Sequence, residues 1–228
     1  MNFNSKTTET TKKFSIGGMT AVSVILTAAA ARLLPHPPNV TPIIAMGLLA
    51  GSHLGRNANE STTRPSWIKR GWTKLQPYLL PLLAMLLSDL AIQAVTGQGF
   101  HRSMPAVYIA ILCAVIIGKV FTSTQSTNTP SFALRIGLST VLASTVFFLI
   151  TNFSVWAFSG FYPKTGAGLT LCFSAAIPFY RNSLIGDLCW TTALFGTLYF
   201  GRFIIRAMLS DLSKARISDK HIAPVMKP

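Results

Sequence analysis

Two aspartates stand inside apolar runs, Asp89 in "LLAMLLSDLAIQAV" and Asp187 in "NSLIGDLCW". An ionisable group among such neighbours is costly to hold. It therefore faces a bundle interior, a water-lined cavity or a partner charge. Asp89 lies about 12 residues into its run, roughly 18 Å along a helix at 1.5 Å per residue. Asp187 sits in the second turn of the last run, and Asn152 ends the run before it. Counted along the chain, the three groups reach one depth on three different helices. They can supply charge and hydrogen bonds to a polar solute. Flanking them in sequence are His36 and His101, either of which can contact a ligand or a metal, and the aromatic Trp156 and Tyr162.

Each residue also has a plainer role. Asp89 and Asp187 can pair with Arg32 or Arg181, which fall on the same side, and so neutralise buried charge. Asn152 can hydrogen-bond between helices. The histidines can be solvated or cap a helix. Trp156, Phe158, Phe161, Tyr162, Phe179 and Tyr180 fit an interfacial aromatic belt. His53 lies at the opposite end of its helix from these groups and is assigned no role.

The elements that position these side chains follow from composition. The 228 residues are 50% hydrophobic and 11% charged, with mean hydropathy +0.47. Soluble domains carry about 25% charged residues, so this chain lacks the polar surface to stay in water. Apolar runs near 20 residues, each able to cross about 30 Å of hydrocarbon, predict a polytopic membrane domain. The net charge of +14 comes largely from basic residues just outside those runs. No aromatic-interleaved basic groove accompanies it, which excludes nucleic acid as a partner.

Spans are expected at 14–34, 40–56, 77–96, 105–122, 132–153 and 182–209. The first is too long for a secretory signal core of about 7–15 residues, and it is read as a retained span. The segment 164–180 is apolar but short and is broken by Pro178, so a helix at the interface or packed over the bundle is expected there. A seventh span is the competing reading. The fold expected is an all-α six-helix transmembrane bundle, with residues 1–13 and 210–228 as tails.

Charge sets the orientation. With six spans, one side receives sixteen of the 20 Lys and Arg residues, and the other receives Arg32, Arg102, Lys164 and Arg181. The basic side is cytoplasmic, so both termini are expected inside. The outward loops are then "PHPPNVTP", "GQGFHRSMP" and the segment from Thr151 through Asn182. Prolines, aromatics and hydrogen-bonding side chains concentrate there, as at the mouth of a ligand pocket, although tight connectors between helices would have the same composition. Span one carries a small-residue edge of Ser15, Ser23, Thr27 and Ala31, which suits close packing on another span or on a separate subunit.

No phosphate loop, HExxH or GxSxG motif occurs, and no nucleophile–base arrangement is visible. Enzymatic activity is not expected. Cys113, Cys172 and Cys189 fall inside apolar stretches without metal-ligand spacing, and no cofactor is expected.

The stretches "LLPHPPNVTPIIAMGLLAGSHLG", "LLPLLAMLLSDL", "GFHRSMPAVY", "LITNFSVWAFSGFYPKTGAGL" and "AAIPFYRNSLIGDL" resemble a bacterial family of uncharacterised six-span membrane proteins. More remotely, the layout is similar to the S-components of energy-coupling-factor (ECF) transporters, including solitary cobalamin-type S-components. There a proline-punctuated first loop leads into a second helix ending as "LLAGSHLG" does here. That likeness implies an S-component-like protein of the bacterial inner membrane, taking a small vitamin-like solute from the periplasmic side. Asp89, Asn152, Asp187, His101 and His36 would be its polar contacts, with Trp156 and Tyr162 nearby. It further implies an ECF-type coupling subunit and ATPases as partners. The cobalamin type uses a loop cysteine that "GFHRSMP" lacks, and His101 is the residue there with metal-ligating chemistry. A scaffold protein of the cell envelope is the alternative function.

Overall fold

A computed structural model describes residues 21–34, 37–54, 67–97, 99–122 and 130–222. Among these residues there is no strand. The helices are α1 (Ala21–Ala31), α2 (Ile43–Leu49) continued by a π-helical turn Ala50–Leu54, α3 (Trp67–Thr96), α4 (Met104–Phe121), α5 (Pro130–Phe158) and α6 (Gly166–Ile222). Three segments, Lys74–Thr96, Met104–Phe121 and Phe132–Phe158, are long and apolar enough to cross a membrane.

The exterior shows which solvent this fold is built for. On α3 the side chains of Leu83, Leu86, Leu87 and Leu90 are exposed, while Ala84, Met85, Ser88 and Asp89 of the same turns are buried. On α5 Leu134, Leu138, Val141, Leu142 and Leu149 are exposed, and Ser139, Thr140 and Ser144 are buried. Apolar groups outside and polar groups inside reverse the arrangement of a soluble helix. That reversal is stable when the surroundings are hydrocarbon, which makes this an integral membrane architecture.

Direction alternates along the chain. On α2, a Cβ at Gly47 would meet Ala114, one at Gly51 would fall 2.0 Å from the Val115 carbonyl oxygen, and one at Gly118 of α4 would fall 2.3 Å from that of Leu48. The order of these contacts makes α2 and α4 parallel, with backbones touching where only glycine fits. Tyr108 of α4 reaches Asp89 at one end of α3 and Lys119 reaches Tyr78 at the other, so α3 and α4 are antiparallel. Thr145 bonds Tyr180 and the Phe132 ring meets Tyr199, so α5 and α6 are antiparallel. Val40 lies against Gly186, and His53 lies against Phe195 and Tyr199, so α2 and α6 are parallel. The end of α1 comes to Asp89, close to where α3 ends. Thus α1, α3 and α5 point one way and α2, α4 and α6 the other.

One expectation is corrected. Pro178 does not end a separate interfacial helix, because α6 runs without interruption from Gly166 to Ile222. Phe173 and Tyr180 on either side of the proline both pack on Phe148 of α5, and Tyr180 is also bonded to Thr145. Both halves are pinned to one neighbour, and this offsets the missing N–H. The span expected at 77–96 agrees with the apolar stretch Lys74–Thr96, which is part of the longer helix α3. That helix starts at Trp67 and carries Pro77 and Pro81 inside it, both buried among neighbours that tolerate a lost bond.

Candidate functional site

The polar centre forms where α1, α3 and α4 meet. Arg32 follows the last turn of α1 and sends Nη1 to within 2.9 Å of Asp89 Oδ1, with the side chains 10% and 1% exposed. The same Nη1 donates to Ser88 Oγ, and Ser88 donates to the Met85 carbonyl at 2.8 Å. From the facing helix, Tyr108 donates its hydroxyl proton to Asp89 Oδ2 at 3.0 Å. The aspartate is thus held by a cation on one oxygen and a phenol on the other. Yet Arg32 Nε and Asp89 Oδ1 are buried without a hydrogen bond of good geometry. The centre keeps unused donor and acceptor capacity.

The loop between α3 and α4 closes over this level. Gln93 accepts hydrogen bonds from the Gly99 and Phe100 amides, at 2.8 and 3.3 Å. Gly99 lies so close that a Cβ there would sit 2.2 Å from the Asp89 carbonyl oxygen. Gly97 takes a positive φ of 70° to start the fold-back. His101 is exposed in this loop, and its carbonyl accepts from the Met104 amide. His36 lies outside the described residues.

The other expected site residues have partners of their own. Asn152 Nδ2 donates to the Phe148 carbonyl of its own helix at 2.8 Å, and its carbonyl accepts from the Cys172 thiol. Trp156 donates to the Pro163 carbonyl at 3.0 Å, and Lys164 lies over its ring. Tyr162 is partly exposed in the same turn. Asp187 is buried between α6 and α5, with Ser144 facing its carboxylate. Among the described residues, no hydrogen bond or ion pair joins Asp89 to Asn152, Trp156, Tyr162 or Asp187. Arg181 is exposed and pairs with neither aspartate.

Sequence reasoning passed over Tyr108 and Ser88. A lone tyrosine in "AVYIAIL" carries no signal until the antiparallel register of α3 and α4 is known. It also assigned nothing to His53, which is buried in the π turn between the Phe195 and Tyr199 rings. Ser52 Oγ lies 3.1 Å from the Leu49 carbonyl and shares a hydrogen bond with His53 Nδ1 at 2.7 Å.

A family model matches residues 12–62 and 70–207, and it describes a family of unknown function, DUF6580. The chain belongs to that family. Arg32, Ser88, Asp89, Tyr108 and Asp187 all fall within the matched DUF6580 segments, which end at 207 before the last turns of α6. The match agrees with the expected uncharacterised family and lends nothing to the likeness to S-components. No curated protein and no solved structure matches the chain.

Proposed function

We propose that this DUF6580 protein is a six-span protein of the bacterial inner membrane that binds a small, vitamin-like solute from the periplasmic side for uptake. The observation that carries the reading is the Arg32–Ser88–Asp89–Tyr108 centre. It is a buried ion pair with unused hydrogen-bonding capacity, under a folded-back loop, at one end of an apolar-surfaced bundle. By the distribution of basic residues, that end is the outward one. A solute with both donor and acceptor groups would complete the bonds that Arg32 and Asp89 leave unmade. Energy would come from a coupling subunit and ATPases. The small-residue edge of α1 supports such docking, since Ser23 and Thr27 are exposed while Ala21, Ile25, Ala28 and Ala29 face the core.

One observation favours the scaffold reading instead. Arg32 and Asp89 neutralise each other, so the pair can serve structure without any ligand. Thermal unfolding of the purified full chain with a panel of vitamins separates the two. A solute at a hundredfold excess over its Kd adds about 2.7 kcal/mol, which is about 5–10 °C in a chain of this size. Tyr108→Phe should reduce that shift. If no solute raises the midpoint, and stoichiometric envelope proteins co-purify, the protein is a scaffold.

A further inference from the structure

The two buried aspartates are treated differently. Asp89 has Arg32 at 2.9 Å. Asp187, 5% exposed, has no cation within ion-pair distance among the described residues. What it has instead are hydroxyls. Ser144 of α5 faces its carboxylate, and Thr191 lies four residues on, hence on the same face of α6. Both hydroxyl side chains are 2% exposed. Ser144 Oγ is directed at the Asp187 carboxylate, and Thr191 Oγ1 is buried with no hydrogen-bond partner among the described residues.

That is unusual within these same helices. Thr140, Thr145 and Thr151 of α5 and Thr192 and Thr197 of α6 each close onto the carbonyl four residues back. Ser144 and Thr191 show no such bond, and among the described residues Thr191 Oγ1 is left unpartnered one turn from Asp187. Their oxygens remain available as ligands.

We propose that Asp187, Ser144 and Thr191 form a binding site for a sodium ion inside the bundle. One carboxylate and two hydroxyls are hard oxygen ligands of the kind an alkali cation takes. A single negative charge matches a monovalent ion. Among the described residues no group of three His, Cys, Asp or Glu side chains gathers anywhere, and no second acidic side chain bears on Asp187. The bound ion does for Asp187 what Arg32 does for Asp89. Val40 of the 37–42 segment packs tightly on Gly186, the residue before the acid. The inference stands apart from the solute reading, because it is tested without any solute.

The test uses the purified full chain in detergent, with sodium titrated against choline at constant ionic strength. The unfolding midpoint is followed, and binding is measured by calorimetry. Sodium should raise the midpoint saturably, with one ion per chain, and potassium should not reproduce it. Asp187→Asn should abolish the response while keeping the midpoint seen in choline. Ser144→Ala combined with Thr191→Val should raise the half-saturating concentration at least tenfold. Superimposable sodium and choline curves, an equal response to potassium, or a response retained in Asp187→Asn would each overturn the proposal. Should Asp187→Asn fail to purify folded, the hydroxyl double variant decides, and an unchanged half-saturation overturns it.

Discussion

Breaking the Arg32–Asp89 pair from either side should be far more damaging than removing it whole. The side chains are 10% and 1% exposed, so salt and water screen the contact little. Arg32→Met leaves Asp89 in the bundle with the Tyr108 hydroxyl alone, and an uncompensated buried charge costs about 3–5 kcal/mol. Asp89→Leu strands the guanidinium and also removes the carboxylate that accepts from Tyr108, a charged hydrogen bond worth about 1.5–3 kcal/mol. In a membrane the unfolded reference also finds polar partners, so the lower half of each range applies. The double variant Arg32→Met/Asp89→Leu puts apolar groups of similar volume in both places. Such replacements of a buried ion pair are often neutral or stabilising. The Tyr108 bond is lost in both Asp89→Leu and the double variant and cancels. The two half-broken pairs therefore set the expected coupling at about 6 kcal/mol, with the double variant nearer to wild type than either single one. Reversible unfolding in mixed micelles measures all four corners. Coupling below about 0.5 kcal/mol, the level of independent sites, would refute the geometry of the centre.

Two further predictions concern the frame that holds it. Gly51→Ala and Gly118→Ala each drive a Cβ into a facing backbone carbonyl and should cost about 1–3 kcal/mol or more, whereas Gly137→Ala, with nothing within 4 Å, should stabilise by about 0.5–1 kcal/mol; equal effects in one unfolding series would exclude the tight α2–α4 contact. A topology reporter fused after Pro228 should read cytoplasmic in cells. A periplasmic signal would turn the Arg32–Asp89 centre away from the outside and end the outward-solute reading.

How far the fold could be read from sequence depended on whether a local signal was enough. Span four was expected at 105–122 and the helix is Met104–Phe121, because Pro105 marks its first turn and the apolar run behind it is unbroken. The second helix was legible, but its π turn at Ala50–Leu54 was not. That widening sits where Gly51 lies against the Val115 carbonyl and the Lys119 amide of another helix, a contact with no local trace. Pro178 misled for the same reason. A proline says that one hydrogen bond is lost, and only the packing of Phe173 and Tyr180 on α5 says that the helix survives it.

The candidate site sharpens this distinction. Asp89, Asn152 and Asp187 were placed together because counting residues along three helices gives them one depth. Depth is one coordinate, and the direction in which each residue faces around the bundle needs the helix packing. Packing turns Asp89 toward α1 and α4, where Arg32 and Tyr108 meet it. It turns Asn152 onto its own helix and Asp187 toward Ser144 on α5. The expected site residues thus have different immediate partners, and two of them anchor polar groupings of different character. The Arg32–Asp89 centre is balanced in charge and short of hydrogen bonds, which suits a neutral or zwitterionic solute. The Asp187 centre holds a buried carboxyl group without a cation within ion-pair distance among the described residues, next to the Ser144 hydroxyl, which is the basis for the cation proposed there. Both lie within the segments that define DUF6580. If both sites are occupied as proposed, uptake through such a bundle would have an ion at hand whose gradient could contribute to moving the solute. Measuring solute affinity with and without sodium would show whether the two centres are coupled.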